Sequence, residues 1–548
     1  MKKKKIFFLI TLGFGILIIV KKLSVKKDNV QTAQLNMAIM QEWSDFNPIH
    51  LKLASTQSLL ALVQRKMTLR KTDGQIINDL AESIPQLKAK KAIWTIQLNA
   101  KWGDSAVITC ADWHLGWQIG LSENVSVEDK QIYTKIKNIK WTEKNLQQCE
   151  VEYAINDWAY DRDLPPLVPS HIEKEIFEKY KNEKEGYDKY SLYVTKPTLN
   201  ALYNGPYIIS DFKLGSHIVF NKNELFFGKK ANIDKIVLKL VTDSNSLKVQ
   251  LQSNDINSIN AVGFTPDIAL MLNSEFQNKD SVSQVYFSDS NLYQGLFLNL
   301  DHLVLSDPII RKVLSLSIDK EKIAKVFFEG YLPTANNLLS PQHPAFIKNA
   351  SLYSLNKARS LLDKAGWKLN EDGVRSKNNT LLSFVFKTSA GLKVLENIQQ
   401  VMCTDFKSIG IDCIIKNEPP RVLLGQSVPQ GDFDMAMFGG VIPIDMSVAS
   451  TFLSKSIPTK DNQWSGGNIS RMRSGKIDNL IKNFDNESNK NKRNLIIKEI
   501  EDEILNQNYL IPIYHRKEAF VFPKKMQGLA DSFDSTIILK PENWILTL

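Results

Sequence analysis

Apolar residues along this chain switch between two periods. Over residues 92–98 they alternate, with Trp94, Ile96 and Leu98 on one side and Thr95 and Gln97 on the other, which predicts a strand. Residues 236–241 and 295–300 predict two more. Residues 306–317 change to helical spacing. There Ser306 or Asp307 serves as cap, Pro308 fits the first turn, and Ile309, Ile310, Val313 and Leu314 form a stripe. A second helix is predicted over 355–365, with Leu355, Ala358, Leu361, Leu362 and Ala365 on one face and Gly366 as its stop. Then follow a strand over 381–387, a helix over 393–408 and a strand over 411–415. Val394, Leu395, Ile398, Met402 and Phe406 face inward on that helix, and Gly410 ends it. Strand, helix and strand within about 35 residues make a crossover unit, so part of the sheet is parallel. Residues 433–438 add another strand, and the Asn/Lys-rich segment 485–494 reads as a solvated helix start or a loop. The fold class is mixed α/β.

With 548 residues, the chain has material for three or four domain-sized units. Hydrophobic residues at 43% exclude wholesale disorder, and four cysteines exclude a disulfide-built scaffold. The formal net charge of +10 suggests nucleic acid until it is located. Residues 1–27 hold eight lysines and no acid, and the remainder carries 61 basic against 59 acidic residues. The body is nearly neutral, so a DNA or RNA partner is not indicated. The lysines flank the chain's one long apolar run, Ile6 to Val20. As a helix, this run would be roughly 23 Å long, shorter than the ~30 Å hydrocarbon layer. It reads as a targeting segment. With no convincing cleavage site after it, it is expected to stay as an uncleaved anchor, with the body outside the cytoplasm.

Signals for catalysis are thin. The seven histidines (His50, His114, His171, His217, His302, His343 and His515) are scattered and form no zinc motif. Ser317-Ile318-Asp319-Lys320 matches the S-x-x-K spacing of acyl-transferring hydrolases, but Ser317 and Asp319 are better read as caps between two helices. Cys110, Cys149, Cys403 and Cys413 lack metal-ligand spacing. Outside the cytoplasm either Cys110–Cys149 or Cys403–Cys413 is able to pair, and free buried thiols are the expected state.

A series of short motifs then falls in a fixed order. It runs through Phe46-Asn47-Pro48, Leu69-Arg70-Lys71-Thr72-Asp73-Gly74-Gln75-Ile76 and Asp79-Leu80-Ala81-Glu82-Ser83. Trp94-Thr95-Ile96-Gln97-Leu98, Lys101-Trp102-Gly103-Asp104 and Thr109-Cys110-Ala111-Asp112 follow, then Asn204-Gly205-Pro206-Tyr207. The series ends with Asp307 to Lys320, Leu361-Leu362-Asp363-Lys364-Ala365-Gly366-Trp367 and Asn468 to Leu480. In this order, from about residue 35 to the end, the chain resembles the family 5 extracytoplasmic solute-binding proteins of ABC importers, the oligopeptide-, dipeptide- and nickel-binding group.

The resemblance implies a type II periplasmic-binding fold, two hinged lobes plus an extra α/β domain. By analogy residues 1–34 are signal or anchor and linker. Residues 35–55, 200–290 and 510–548 form lobe I, 56–199 the extra domain, and 291–509 lobe II. The chain crosses between lobes near 290 and 510. The implied function is to bind a peptide between the lobes and deliver it to an ABC permease and its ATPase in the membrane. The expected protein is a monomer that is not an enzyme and has no cofactor or metal. The nearest alternative keeps the fold and binds a metal chelate, an oligosaccharide or an antibiotic. In peptide-binding members one aspartate receives the peptide's α-ammonium group, seven residues before a phenylalanine. Asp445 and Phe452 have that spacing, and the competing reading makes Asp445 a helix cap. The chain has Phe438-Gly439-Gly440 where the family usually has Gly-Trp. Phe438, Gly439, Gly440, Trp464 and Trp43 are the further cleft candidates, the tryptophans with core or rim positions as the alternative. Arg421 and Arg473 read as surface charge, with contact to a peptide carboxylate as the alternative.

Overall fold

A computed structural model describes residues 33–548, apart from 51–52, 72, 128–129, 156–157, 278–280, 463, 530–532 and 548. The side chains of residues 131, 533 and 534 are also outside the description. The targeting segment expected at the N-terminus lies outside the described residues. No helix among those described is long and apolar enough to cross a membrane. Ala33–Leu548 forms one compact unit.

Ten strands form its central sheet. Numbered along the chain within that sheet they are β1 (Gln34–Ile39), β2 (Tyr207–Lys213), β3 (His217–Lys222), β4 (Lys235–Leu240) and β5 (Ser258–Ile259). The rest are β6 (Ser283–Leu298), β7 (Ser383–Thr388), β8 (Asp412–Ile415), β9 (Met435–Val441) and β10 (Leu510–Pro523). Their spatial order is β8-β7-β9-β6-β10-β5-β1-β4-β3-β2, each strand hydrogen-bonded to the next. β6 and β10 form its middle. They are antiparallel, from Ser283 opposite Pro523 to Phe297 opposite Leu510, with register shifts between Asp289 and Tyr293 and between Gln294 and Gly295.

The crossover unit forms as the periodicities require. β7 and β8 are parallel, with Ser383 opposite Asp412, and the helix Lys393–Ser408 joins them. Its buried side chains include Val394, Leu395, Ile398, Met402 and Phe406. The predicted strand at 295–300 is the end of a much longer one, the 16-residue β6. The helix predicted at 306–317 spans Pro308–Leu316, with Asp307 capping the amide of Ile309. Ile310, Val313 and Leu314 are buried there, whereas Ile309 is exposed. The strand predicted at 92–98 spans Lys91–Thr95, and Leu98 lies in the turn beyond it, 74% exposed. Segment 485–494 holds the end of one helix at Asn486 and the start of the next at Lys490, where Asn489 is the cap.

A second sheet of three strands, Lys91–Thr95, Ile136–Thr142 and Asn145–Tyr153, packs with helix Cys110–Leu121. Its core is continuous with that of β1 to β4: Trp94, Trp113 and Tyr153 belong to the same buried cluster as Leu35, Trp43 and Tyr207. On the other side of the molecule, Leu296 and Leu298 of β6 face one core with the crossover helix, and Tyr293 and Phe297 face another.

The expectation of free thiols is overturned. Cys110 and Cys149 form a disulfide with Cα atoms 5.5 Å apart, and Cys403 and Cys413 form another at 5.6 Å. The first joins the helix Cys110–Leu121 to the strand Asn145–Tyr153, and the second joins the crossover helix to β8. Packing brings each pair within bonding distance, which spacing along the chain does not encode.

Candidate functional site

The site is built around β6, which pairs with β9 on one side and with β10 on the other. Residues Leu292–Leu298 of β6 pair with Met435–Val441 of β9, so Phe438 lies opposite Gly295, Gly439 opposite Gln294 and Gly440 opposite Tyr293. On its other side β9 pairs with β7 only from Met435 to Met437. Phe438 to Val441 therefore have a strand on one side and, among the described residues, none on the other. Such an edge offers main-chain N–H and C=O groups to an added strand.

Side chains around this edge fit their neighbours closely. Phe438 stacks flat on Phe297, with ring centroids 3.9 Å apart and planes at 6°. Gly439 is exposed, and a Cβ there would lie 3.4 Å from Nη1 of Arg516. A Cβ on Gly440 would come within 2.5 Å of the Tyr293 hydroxyl, so the tyrosine requires glycine at this position.

The register shifts of β6 fall on a patch of buried polar residues: Ser290, Asn291 and Gln294 on β6, His515 and Glu518 on β10. Asn291 Oδ1 accepts a 2.6 Å hydrogen bond from Ser340, and Arg516 pairs with Glu518. Gln294 Nε2 and His515 Nδ1 have no partner among the described residues. Buried polar atoms without partners are uncommon, and each leaves hydrogen-bonding capacity that a water, an ion or a ligand is able to take up. His515 is kept neutral: burial, and then the charge of Lys320, push its pKa down to about 4. His343 is likewise pushed down to about 4 by burial, and its Nδ1 accepts from the amide of Ala345.

Asp445 follows β9 by a few residues, in the left-handed region at φ 54°. It does not cap the following helix, Ala449–Phe452, whose N-cap is Val448. Its carboxylate, 4% exposed, meets two arginines. Oδ1 accepts from Nε of Arg493 at 2.8 Å and forms an ion pair with its Nη2 at 2.7 Å, and Oδ2 accepts from Nη1 of Arg162 at 3.0 Å. Of the other candidates, Trp43 is a fully buried core residue whose indole N–H has no partner among the described residues. Trp464 is 36% exposed, in a turn where its amide bonds Thr459. Arg421 is exposed, and Arg473 pairs with Asp301 at the surface.

The sequence reading missed Gln294, His515, Arg162 and Arg493. A lone amide inside the otherwise apolar strand run Leu292–Leu298 is a signal for Gln294, and an imidazole directly after the apolar run Leu510–Tyr514 is one for His515. The arginines have none, since both reach Asp445 only through the tertiary fold. The S-x-x-K pair is not a presented nucleophile. Ser317 is fully buried and donates to Val313 O, and Lys320 donates to Ala335 O.

Two α/β halves sharing one sheet, with an open strand edge and buried polar atoms where β9, β6 and β10 lie side by side, give the bilobed architecture of a binding protein. The chain belongs to the bacterial extracellular solute-binding proteins, family 5, whose middle region matches residues 75–460. The oligopeptide-binding protein AppA of Bacillus subtilis (strain 168) is 25% identical over 472 residues, covering 84% of this chain and 82% of that protein. The AppA structure in complex with a nonapeptide superposes with a TM-score of 0.80 at 21% identity, over 94% of this chain and 99% of that one. NikZ of Campylobacter jejuni in complex with Ni(L-His) gives 0.78 at 21% identity, over 93% and 99%. The fold is thus the periplasmic-binding type that the motif order implies.

Proposed function

We propose that this extracytoplasmic protein binds a peptide in extended form between its lobes and delivers it to an ABC permease and its ATPase. The observation that carries the reading is the unpaired edge Phe438–Val441 of β9. A peptide lying along it gains main-chain hydrogen bonds whatever its sequence, while side-chain pockets add selectivity. Gly439 leaves room beside that edge, and Gln294 and His515 supply unmatched polar atoms close by. Burial pushes the pKa of both histidines near the junction, His343 and His515, down to about 4. The burial of Ser317 speaks against its serving as the nucleophile of an acyl-transferring hydrolase. The lysine-flanked run Ile6–Val20 directs export and, uncleaved, tethers the protein to the membrane.

Native mass spectrometry of protein from its source is the test. Retained masses that fragment as peptides are expected. Protein that carries no peptide, and gives no heat on titration with a random nonapeptide library, rejects the reading.

A further inference from the structure

Asp445 is held in an ion cluster that joins two parts of the molecule. Arg162, from the segment that follows strand Asn145–Tyr153, reaches it with Nη1, which donates to both Oδ2 and the main-chain oxygen of Asp445 at 3.0 Å. Nε of the same guanidinium pairs with Asp161 at 3.0 Å. Arg493 approaches from helix Lys490–Asn506, meets Oδ1 with two nitrogens, and donates Nη1 to the main-chain oxygens of Glu487 and Ser488. Trp158 lies between them. The Arg493 guanidinium sits 3.5 Å from its ring centroid and that of Arg162 5.1 Å. The indole donates to Asp485 O at 3.1 Å and packs edge-on against Phe484.

Two guanidiniums thus face two carboxylates, Asp161 and Asp445. An arriving ammonium group finds no net negative charge to neutralise, and both Asp445 oxygens already accept charge-assisted hydrogen bonds. The strap Trp158–Arg162 is tied through Asp445 to the region that follows the open edge of β9. Gly74 makes a second contact there, its Cα backing onto Ile444.

We infer that Asp445 is a positioning residue that clasps the strap Trp158–Arg162 to the segment following the open strand edge, and that the site therefore takes peptides whether or not their α-amine is free. This inference rests on the peptide reading above. Its chemistry places cargo retention in the clasp. Removing one partner of a buried charge pair acts mainly on the dissociation rate.

The test uses the full chain and a random nonapeptide library in two forms, with a free α-amine and N-acetylated, mixed in equal amounts. Captured peptides are counted by mass spectrometry. Capture of the two forms within about twofold is expected, and enrichment of the free-amine form by about tenfold or more would overturn the inference. With Asp445→Asn both forms should be lost to the same extent, and a loss confined to the free-amine form would also overturn it. Arg162→Met, at a less buried position, should speed dissociation of both forms by about tenfold. Arg162→Lys, which keeps the charge, should recover part of that loss, and an unchanged dissociation rate in Arg162→Met sinks the clasp. If the unmodified chain captures neither form, the peptide reading fails and this inference falls with it. Selective capture of the free-amine form rejects only the inference.

Discussion

His50 stands between two carboxylates, Asp188 at 2.8 Å and Asp45 at 3.4 Å. Burial alone would lower its pKa, but hydrogen bonds and charge from Asp188 and Asp45 outweigh burial and hold it up at about 9. A pKa raised above the unfolded value of 6.5 stabilises the fold fully below pH 6.5, and this contribution disappears as pH rises through 9. The loss is on the order of 3 kcal/mol, so urea midpoints should fall between pH 6.5 and 9, and His50→Gln should flatten that slope. Gly440 gives a second residue-level expectation. Alanine there must displace the Tyr293 ring and should cost about 1–3 kcal/mol in denaturant unfolding, with Gly439→Ala much milder. At this scale the family resemblance pointed to Asp445 and the Phe438–Gly440 stretch, but not to the company they keep. Arg162 lies 283 positions from Asp445, and no local pattern connects the two.

Elements with a strong period were legible: the crossover helix and its flanking strands, and the caps of the helix Pro308–Leu316. β6 was not, beyond its apolar end. Its first half, Ser283 to Asn291, is too polar to read as a central strand, yet it is held there by pairing with β10. The polarity that hid the strand belongs to the patch of buried polar residues around its register shifts, Ser290, Asn291 and Gln294. The disulfides were hidden for another reason, since each needs a helix packed on a strand before its sulfurs meet. In the chain-entropy view, closing a loop with a sequence separation of 39 contributes about 4 kcal/mol, so Cys149→Ala should lower unfolding stability by about that amount. Losing the Cys403–Cys413 bond, with a separation of 10, should cost less, about 3 kcal/mol. Calorimetry with and without reductant measures both.

For the whole molecule, the motif order along the chain established the family and the fold, because it records many distant positions at once. It did not reveal that the three-stranded sheet shares its buried cluster with β1 to β4, which makes those two parts one body. Peptide binding should therefore move two bodies, not three. Small-angle scattering should show the radius of gyration falling when a captured nonapeptide is added to stripped protein, and Asp445→Asn should remain expanded. An unchanged radius in both would argue against closure.

The unbroken sheet has its own consequence. Because β6 and β10 are hydrogen-bonded to each other and each continues into a different half, the halves cannot slide apart without breaking the ladder. What remains soft is twist about that strand pair. A transporter docking across both halves would then need to sense only one torsion to distinguish a loaded carrier from an empty one.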